Sequence, residues 1–360
     1  MTYTKCFCFI TFCLLLEACA IDNPTPVKGV PTINNIGDNP NIYIAGETKR
    51  SAVTWENGSA DTLSFHAVAQ SVFVDGNDIY VAGWEGEFPN NTIATYWKNG
   101  NPIHLSDGTT STYAKSIFVL EGDVYVTGFE DGSKIMARCW KNGVLMPISS
   151  PGTIHSIAVS SFVSGSDVYI VGWVFDLSST TVAAYWKNGN LVRLTDGTSD
   201  CMAESIFVSG DDVYVAGTIN FPLSRSLPTE IFTAGTQGIA TYWKNGKPIT
   251  LSTSGRAQSI FVNGNDVYVS GSVESANGVA GTPLGSTLVD LAIYWKNSVA
   301  VNLENEASSN ASSIVVTKNG DVYTAGWIDH QAVYWRNEMP THFPIPFQDQ
   351  GFLYSIFLTN

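Results

Sequence analysis

Aromatic residues recur at one position of a repeated phrase in this 360-residue sequence. The phrase Asp-Val-Tyr-Val-Ala-Gly, or a variant of it, occurs seven times, and in four copies the residue after its Gly is Trp84, Phe129, Trp173 or Trp327. The other copies carry Glu47, Thr218 and Ser272 at that position. Exposed aromatic rings could stack on a sugar or another flat ligand. Alternatively, these rings cover the edge of a hydrophobic core, and the sequence leaves both interpretations open.

Acidic residues follow the same phrase and are the second set of candidates. We single out Glu47, Glu85, Glu130 and Asp329, together with the adjacent His330, as candidate ligand-binding residues. The complete acidic set in these stretches is Glu47, Glu85, Glu87, Glu130, Asp131, Asp176, Glu230, Glu274, Asp290 and Asp329. Carboxylates that face one axis could bind a cation or act as the acid and base of glycoside chemistry. Solvated loop acids in an acidic protein are the alternative interpretation.

Local catalytic motifs are missing from the sequence. Its five His residues show no metal-ligand spacing, and it has no Gly-x-Ser-x-Gly elbow, phosphate loop or dinucleotide fingerprint. We therefore expect no metal and no cofactor, and we assign no catalytic residue. An active site assembled from several repeats would need no local motif, so an enzyme stays open.

Seven repeats must position these candidates. The Tyr of the first phrase recurs at Tyr43, Tyr80, Tyr125, Tyr169, Tyr214, Tyr268 and Tyr323. The Trp of a second phrase, Tyr-Trp-Lys-Asn-Gly, recurs at Trp55, Trp97, Trp140, Trp186, Trp243, Trp295 and Trp335. These phrases and the preceding Ser-Ile-Phe-Val are short, rich in β-branched and aromatic residues, and bounded by Gly and Asn, which is typical of strands. Asn-Gly favours a type I′ hairpin turn. Each unit thus predicts four antiparallel strands, called a to d.

The pattern of strand b predicts an all-β, seven-bladed β-propeller over residues 41–360. Strand b is apolar at nearly every position, which indicates burial on both faces, as in stacked propeller blades. The Tyr and Trp rings are then predicted to fill the core between blades. The first unit begins at strand b with Asn41, and the chain ends in Ser355–Asn360, an unpaired strand a. Pairing the two would close the ring and leave no open sheet edge.

The connections from strand b to strand c are the predicted site of ligand binding. They vary most between repeats, and two are enlarged, from Thr218 to Gly238 and from Ser272 to Leu291. Long loops on a rigid scaffold commonly carry function. The face of the propeller that holds these connections is therefore the expected binding face.

The first forty residues predict export and anchoring. Residues 1–18 hold Lys5 and an apolar run that is too short to span a bilayer, as in a signal peptide. Leu16-Glu17-Ala18-Cys19 resembles a lipobox, which implies lipidation of Cys19; an ordinary signal peptide with an incidental Cys is the alternative. Residues 19–40 are rich in Pro, Asn and Gly, which predicts a flexible tether.

Charge excludes one class of partner. The formal net charge is −14, whereas nucleic-acid binding requires a basic face that displaces counterions from phosphates. We therefore expect no nucleic acid partner.

The two repeated phrases resemble those of exported, repeat-built β-propeller lipoproteins of Bacteroidetes-type bacteria. The resemblance covers residues 41–360; it implies the fold and an envelope location, and it transfers no catalytic residue. Ala20 after the lipidated Cys favours the outer membrane, with the body facing either the periplasm or the medium.

Three functions remain in view at this point. The first is a membrane-anchored binding protein that uses one propeller face for a glycan or protein ligand. The second is a carbohydrate-active hydrolase or lyase with carboxylates on the same face. The third is a non-catalytic structural or assembly platform.

Overall fold

The computed structural model describes residues 39–86, 91–220, 238–276, 288–305, 307–343 and 351–360. These residues form seven four-stranded antiparallel sheets, each with the strand order a, b, c, d. Each strand a lies against strand a of the next sheet. The predicted seven-bladed, all-β propeller is therefore confirmed.

The blades are numbered 1 to 7 by the position of their strand b in the chain, and strand a lies innermost. The strands a are β4 (Ala67–Asp75), β8 (Ser111–Leu120), β12 (Thr153–Ser164), β16 (Cys201–Ser209), β20 (Gly255–Asn263), β24 (Ser309–Val316) and β28 (Gly351–Thr359). The strands b are β1 (Asn41–Thr48), β5 (Asp78–Glu85), β9 (Asp123–Asp131), β13 (Asp167–Asp176), β17 (Asp212–Ile219), β21 (Asp266–Ala276) and β25 (Val322–Ile328).

Strands c and d form the outer half of each blade. The strands c are β2 (Ser51–Glu56), β6 (Ile93–Lys98), β10 (Ile135–Lys141), β14 (Thr181–Lys187), β18 (Ile239–Lys244), β22 (Leu288–Lys296) and β26 (Gln331–Arg336). The strands d are β3 (Ser59–Phe65), β7 (Asn101–His104), β11 (Val144–Met146), β15 (Asn190–Arg193), β19 (Lys247–Ser252), β23 (Val299–Asn302) and β27 (Met339–His342).

Closure of the ring occurs in blade 1, as the sequence predicts. The last strand, β28, pairs antiparallel with β1, and Ile356 lies opposite Ile44. Strand a of blade 1 thus comes from the end of the chain, and its other three strands come from residues 41–65.

The predicted core between blades is also confirmed. The seven strand-c Trp side chains are at most 4% exposed. Strand β13 is buried over seven consecutive positions, which agrees with packing on both faces. In the turn after β6, Asn99 and Gly100 have φ values of 50° and 76°, as a type I′ turn requires.

A β-bulge in every strand a explains the repeated Gly of strand b. The register shifts by one residue between Ala69 and Ser71, and at the equivalent point of the other six blades. Opposite the bulge, a Cβ on Gly83 would lie 1.8 Å from the carbonyl oxygen of Val68, and the equivalent distance in the other blades is 1.8–2.2 Å. Only Gly fits this close approach of two backbones.

Candidate functional site

The bulge adds one residue to each strand a, and these residues gather at the central channel. The seven bulge residues are Gln70, Lys115, Val159, Glu204, Gln258, Ser312 and Tyr354. All seven are partly exposed, although they lie in the innermost strands. Lys115 of blade 3 interacts electrostatically with Glu204 of blade 5, and blade 4 lies between them. Such an approach requires both side chains to point toward the axis.

Lys115 is the most connected of these residues. Its Nζ donates a hydrogen bond to Gln70 Oε1 at 3.3 Å and lies 4.7 Å from the centroid of the Trp84 ring. Burial lowers the pKa of Lys115 to about 8, and Glu204 and Glu47 oppose this effect by favouring the charged ammonium. The ammonium therefore contacts an aromatic face and an amide oxygen, and the charges of two carboxylates favour its protonated form.

A second group lies where the end of the chain closes blade 1. Tyr354 donates a hydrogen bond from its hydroxyl to Glu47 Oε1 at 2.8 Å. Burial raises the pKa of Glu47, while the Tyr354 hydrogen bond and the charge of Lys115 lower it in part. Burial, followed by the charge of Glu47, raises the pKa of Tyr354 well above its usual value.

Glu204 and Arg256 form a third group on the opposite side of the channel. Burial raises the pKa of Glu204, and Arg256 and Lys115 lower it in part. Burial lowers the pKa of Arg256, while Asp290 and Glu204 favour its charged form. The channel therefore combines opposite charges, amides, a phenol and an indole. Such a set can hydrogen-bond a ligand with several hydroxyl or charged groups, because it offers both donors and acceptors.

The four predicted aromatic residues pack toward the next blade, but they differ in exposure. Trp84 is partly exposed, with its ring 5.2 Å from that of Tyr113 in an edge-on arrangement. Phe129 and Trp173 are 4% and 8% exposed and share an apolar cluster with Ile157 and Met202. Neighbouring side chains thus cover these two rings, as expected of residues at the edge of a core.

Trp327 packs against the start of the last strand and against the following turn. Its ring lies 6.1 Å from that of Phe352 and is stacked 5.7 Å from that of His330. His330 and Asp329 have φ values of 64° and 45° and form a two-residue turn between β25 and β26. The structure therefore groups Trp327 with His330 and Phe352.

The remaining predicted acids have partners within their own blades. Glu85 Oε2 lies 2.6 Å from His104 Nε2. Glu130 accepts hydrogen bonds from Arg138 Nε at 3.0 Å and Nη2 at 2.7 Å. Of the acids singled out from the sequence, Glu47 joins the channel group, whereas Glu85 and Glu130 pair locally.

Several predictions fall on parts of the chain that the structure leaves undescribed. Cys19, the signal peptide and the tether up to residue 38 lie outside the described residues, as do most of the two enlarged connections. Within the described ranges, no helix is long and apolar enough to span a membrane. Within the same ranges, no three His, Cys, Asp or Glu side chains come together as a metal site.

Sequence reasoning missed the bulge residues, although a signal was present. Between an Ala and a Ser that recur in most copies of strand a, one position varies among Gln, Lys, Val, Glu, Ser and Tyr. A charged residue in the middle of an apolar innermost strand requires solvent or a partner. That contrast marks the channel-facing position.

Comparisons with known proteins give a distant likeness of fold. No protein-family model and no curated protein sequence matches the chain. Among solved structures, the one described as "Structure of YjhT" is 10% identical, covers 91% of this chain and 100% of that chain, and has a TM-score of 0.41. The exo-β-1,3-galactanase 1,3Gal43A from Clostridium thermocellum is 10% identical over 79% and 82% of the two chains, with a TM-score of 0.37. Neither likeness carries an argument about function.

Proposed function

We propose that this protein is an exported, lipid-anchored binding protein whose channel binds a glycan. The observation that carries the proposal is the set of charged and polar bulge residues around Lys115 and Glu204. The fold itself does not require them, since Val159 and Ser312 occupy the same position in other blades. Placing charges at partly buried positions is unfavourable unless they are paired, and it rarely adds stability. Ligand recognition is therefore the better explanation for these charges.

The chemistry of the channel suits a hydroxyl-rich ligand. Gln70 and Gln258 offer both donors and acceptors, Glu204 accepts, and Lys115 donates, so vicinal hydroxyl groups can be matched on both sides. The partly exposed ring of Trp84 adds an apolar face next to Lys115, and sugar rings stack on such faces.

The first test is a thermal-shift and calorimetric screen of a Cys19→Ser variant against oligosaccharides and polysaccharides. A ligand at a hundred times its Kd adds about 2.7 kcal/mol of stability. We expect Trp84→Ala, Lys115→Met and Glu204→Gln each to weaken glycan binding by at least about tenfold. Lys98→Met, a change at an exposed ion pair far from the channel group, is the matched control and should leave binding unchanged.

If glycan binding is unchanged in both Lys115→Met and Glu204→Gln, the glycan site lies elsewhere on the protein. No response to any glycan would remove the glycan proposal and favour a protein ligand or an assembly platform.

Anchoring is tested separately. If Cys19 carries lipid, the native protein partitions into the detergent phase of Triton X-114, and Cys19→Ser moves it to the aqueous phase. Cys139→Ser is the control, since Cys139 is a buried free thiol within blade 3 and should leave partitioning unchanged. Separation of the membranes on a sucrose gradient then tests the outer-membrane proposal, and protease treatment of intact cells distinguishes a surface body from a periplasmic one.

A carbohydrate-active enzyme is the second candidate, and the raised pKa values of Glu47 and Glu204 favour it. A carboxyl group with a raised pKa can act as a general acid, and a second one can act as base or nucleophile. Products released from a bound glycan would support this function. If binding without turnover persists from pH 4 to pH 8, the enzyme candidate fails and the binding protein stands.

A further inference from the structure

Six of the seven blades carry the same built-in cation site. The Lys or Arg that ends strand c forms an ion pair of 2.7–3.1 Å with the Asp at or just before the start of strand b. The same cationic group lies 5.0–5.5 Å from the centroid of the strand-b Tyr ring. Each of these blades therefore places one cation over one aromatic face, an attractive arrangement because the face of the ring is electron-rich.

Blade 1 keeps the aromatic ring and replaces the charges. Asn41 stands in place of the Asp, Glu56 in place of the cation, and Tyr43 is retained. The surrounding backbone geometry is preserved, since Asn57 Oδ1 still accepts from the Ile42 N–H at 2.9 Å and Asn57 Nδ2 donates to Asn41 Oδ1 at 3.1 Å. The hydroxyl of Tyr43 donates to Glu56 Oε1 at 3.3 Å. Where the other blades hold an oppositely charged pair with no net charge, blade 1 thus holds a single carboxylate.

A groove opens at the same place. Thr54 stands where five other strands c carry Tyr, and a groove of about 300 Å³ lies between blades 1 and 2. Its lining includes Tyr43, Thr54, Glu56, Asp61, Val72 and Ile79. Among the described residues that line it, none is Lys or Arg.

Two comparisons within the ring distinguish blade 1 at this position. All seven strand-b Tyr residues are described, and Tyr43 is the one that is not buried. Blade 3 also lacks the strand-c Tyr, but its Cys139 is fully buried and packs against Met146, with the two sulfur atoms 3.9 Å apart. Loss of the strand-c Tyr ring alone therefore leaves this position buried in blade 3, whereas blade 1 lacks both the ring and the cation.

We propose that this groove binds an alkylammonium group, presented by a lysine side chain of a partner protein. The ammonium would lie over the Tyr43 ring and beside the Glu56 and Asp61 carboxylates, where the other blades place their own Lys or Arg. The alkyl chain would pack against Val72 and Ile79. This site lies between blades 1 and 2, and its lining shares no residue with the channel group, so it does not depend on the proposed glycan site.

The test compares two soluble probes, Nα-acetyl-lysine amide and its uncharged analogue Nα-acetyl-norleucine amide. Their affinities for the full protein are measured by ligand-observed NMR titration at low ionic strength. We expect the lysine probe to bind at least about fivefold more tightly, as one cation–π contact with nearby carboxylates provides.

Two variants restore the pattern of the other blades and should abolish the preference for the lysine probe. Glu56→Lys supplies the missing cation, and Thr54→Tyr fills the groove. Both residues are native at the equivalent position elsewhere in the ring, so we expect both variants to fold, with a Tm at or above that of the unmodified protein. Glu121→Lys, the same charge change as Glu56→Lys but in an exposed turn of blade 3, is the control and should leave both affinities unchanged.

Equal affinity for the two probes, absence of binding by the lysine probe, or unchanged binding in Glu56→Lys would each overturn the proposal. None of these outcomes affects the channel, whose variants are tested with glycans.

Discussion

The hydroxyl of Ser355, on the last strand, accepts a hydrogen bond from the backbone N–H of Val72 in blade 2 at 3.2 Å. The equivalent bond links five further pairs of adjacent blades at 3.2–3.3 Å, from the Ile117, Ser161, Ile260, Ile314 and Ile356 N–H groups. Strand a is the inner edge of each sheet, so this N–H has no neighbouring strand on that side. The repeated Ser satisfies it from the preceding blade.

Replacement of this hydroxyl should weaken the junction of blades 1 and 2. We expect Ser355→Ala to lower the free energy of unfolding by about 1–2 kcal/mol, because it leaves a buried N–H without its acceptor. Urea denaturation measures the change. The exposed Ser133 supplies the control, since Ser133→Ala should change stability by less than about 0.5 kcal/mol. Equal effects of the two substitutions would contradict the role of the Ser355 hydrogen bond.

Removal of the closing strand should destabilise the whole ring. Deleting residues 352–360 removes nearly all of β28 and exposes the edge of β1. We expect the Tm to fall by at least about 10 °C, because blade 1 loses its innermost strand and the neighbouring blades lose its packing. A synthetic peptide of residues 351–360 should restore part of the loss. Unchanged thermal unfolding after the deletion would contradict closure by β28.

The Gly opposite each bulge should tolerate no side chain. In Gly83→Ala the new Cβ would meet the Val68 carbonyl oxygen at 1.8 Å, so the two strands must separate. We expect a loss of more than about 3 kcal/mol, larger than for an ordinary surface change. Gly132→Ala is the control, because the nearest atom there is the Thr110 side-chain methyl at 3.2 Å. A comparably stable Gly83→Ala protein would show that the bulge can relax.

The fold could be predicted from the sequence because each repeat carries the same strand and turn signals in the same order. The channel group could not be predicted in this way. A bulge shifts the register by one residue and so changes the direction of a side chain, while the apolar pattern of the strand stays the same. The aromatic residues after the strand-b Gly were ambiguous for a related reason. Whether the ring of Phe129 or Trp84 is covered depends on strand a of the next blade. That strand is near in sequence, but its position against the ring is determined only by how the blades stack.

The ammonium of Lys115 should lose its proton near pH 8, since burial lowers its pKa to about 8. An unfolded Lys keeps its proton until about pH 10.4, so the folded state binds fewer protons between these two values. The free energy of unfolding therefore rises as the pH rises through that window. Below the window, the destabilising effect of the buried ammonium is fully present. Acylation with limiting reagent at pH 8, mapped by mass spectrometry, should modify Lys115 before Lys98, whose ion pair with Asp78 raises its pKa.

The charges of Glu204 and Glu47 both favour the protonated form of Lys115. Replacing either one by an uncharged amide should therefore lower the pKa of Lys115 further, and Glu204→Gln should increase its acylation at pH 7. Glu85→Gln removes a carboxylate that pairs with His104 instead and should leave the reactivity of Lys115 unchanged. If Glu204→Gln slowed the acylation of Lys115, or if Lys115 reacted no faster than Lys98, the electrostatic arrangement of the channel described above would be wrong.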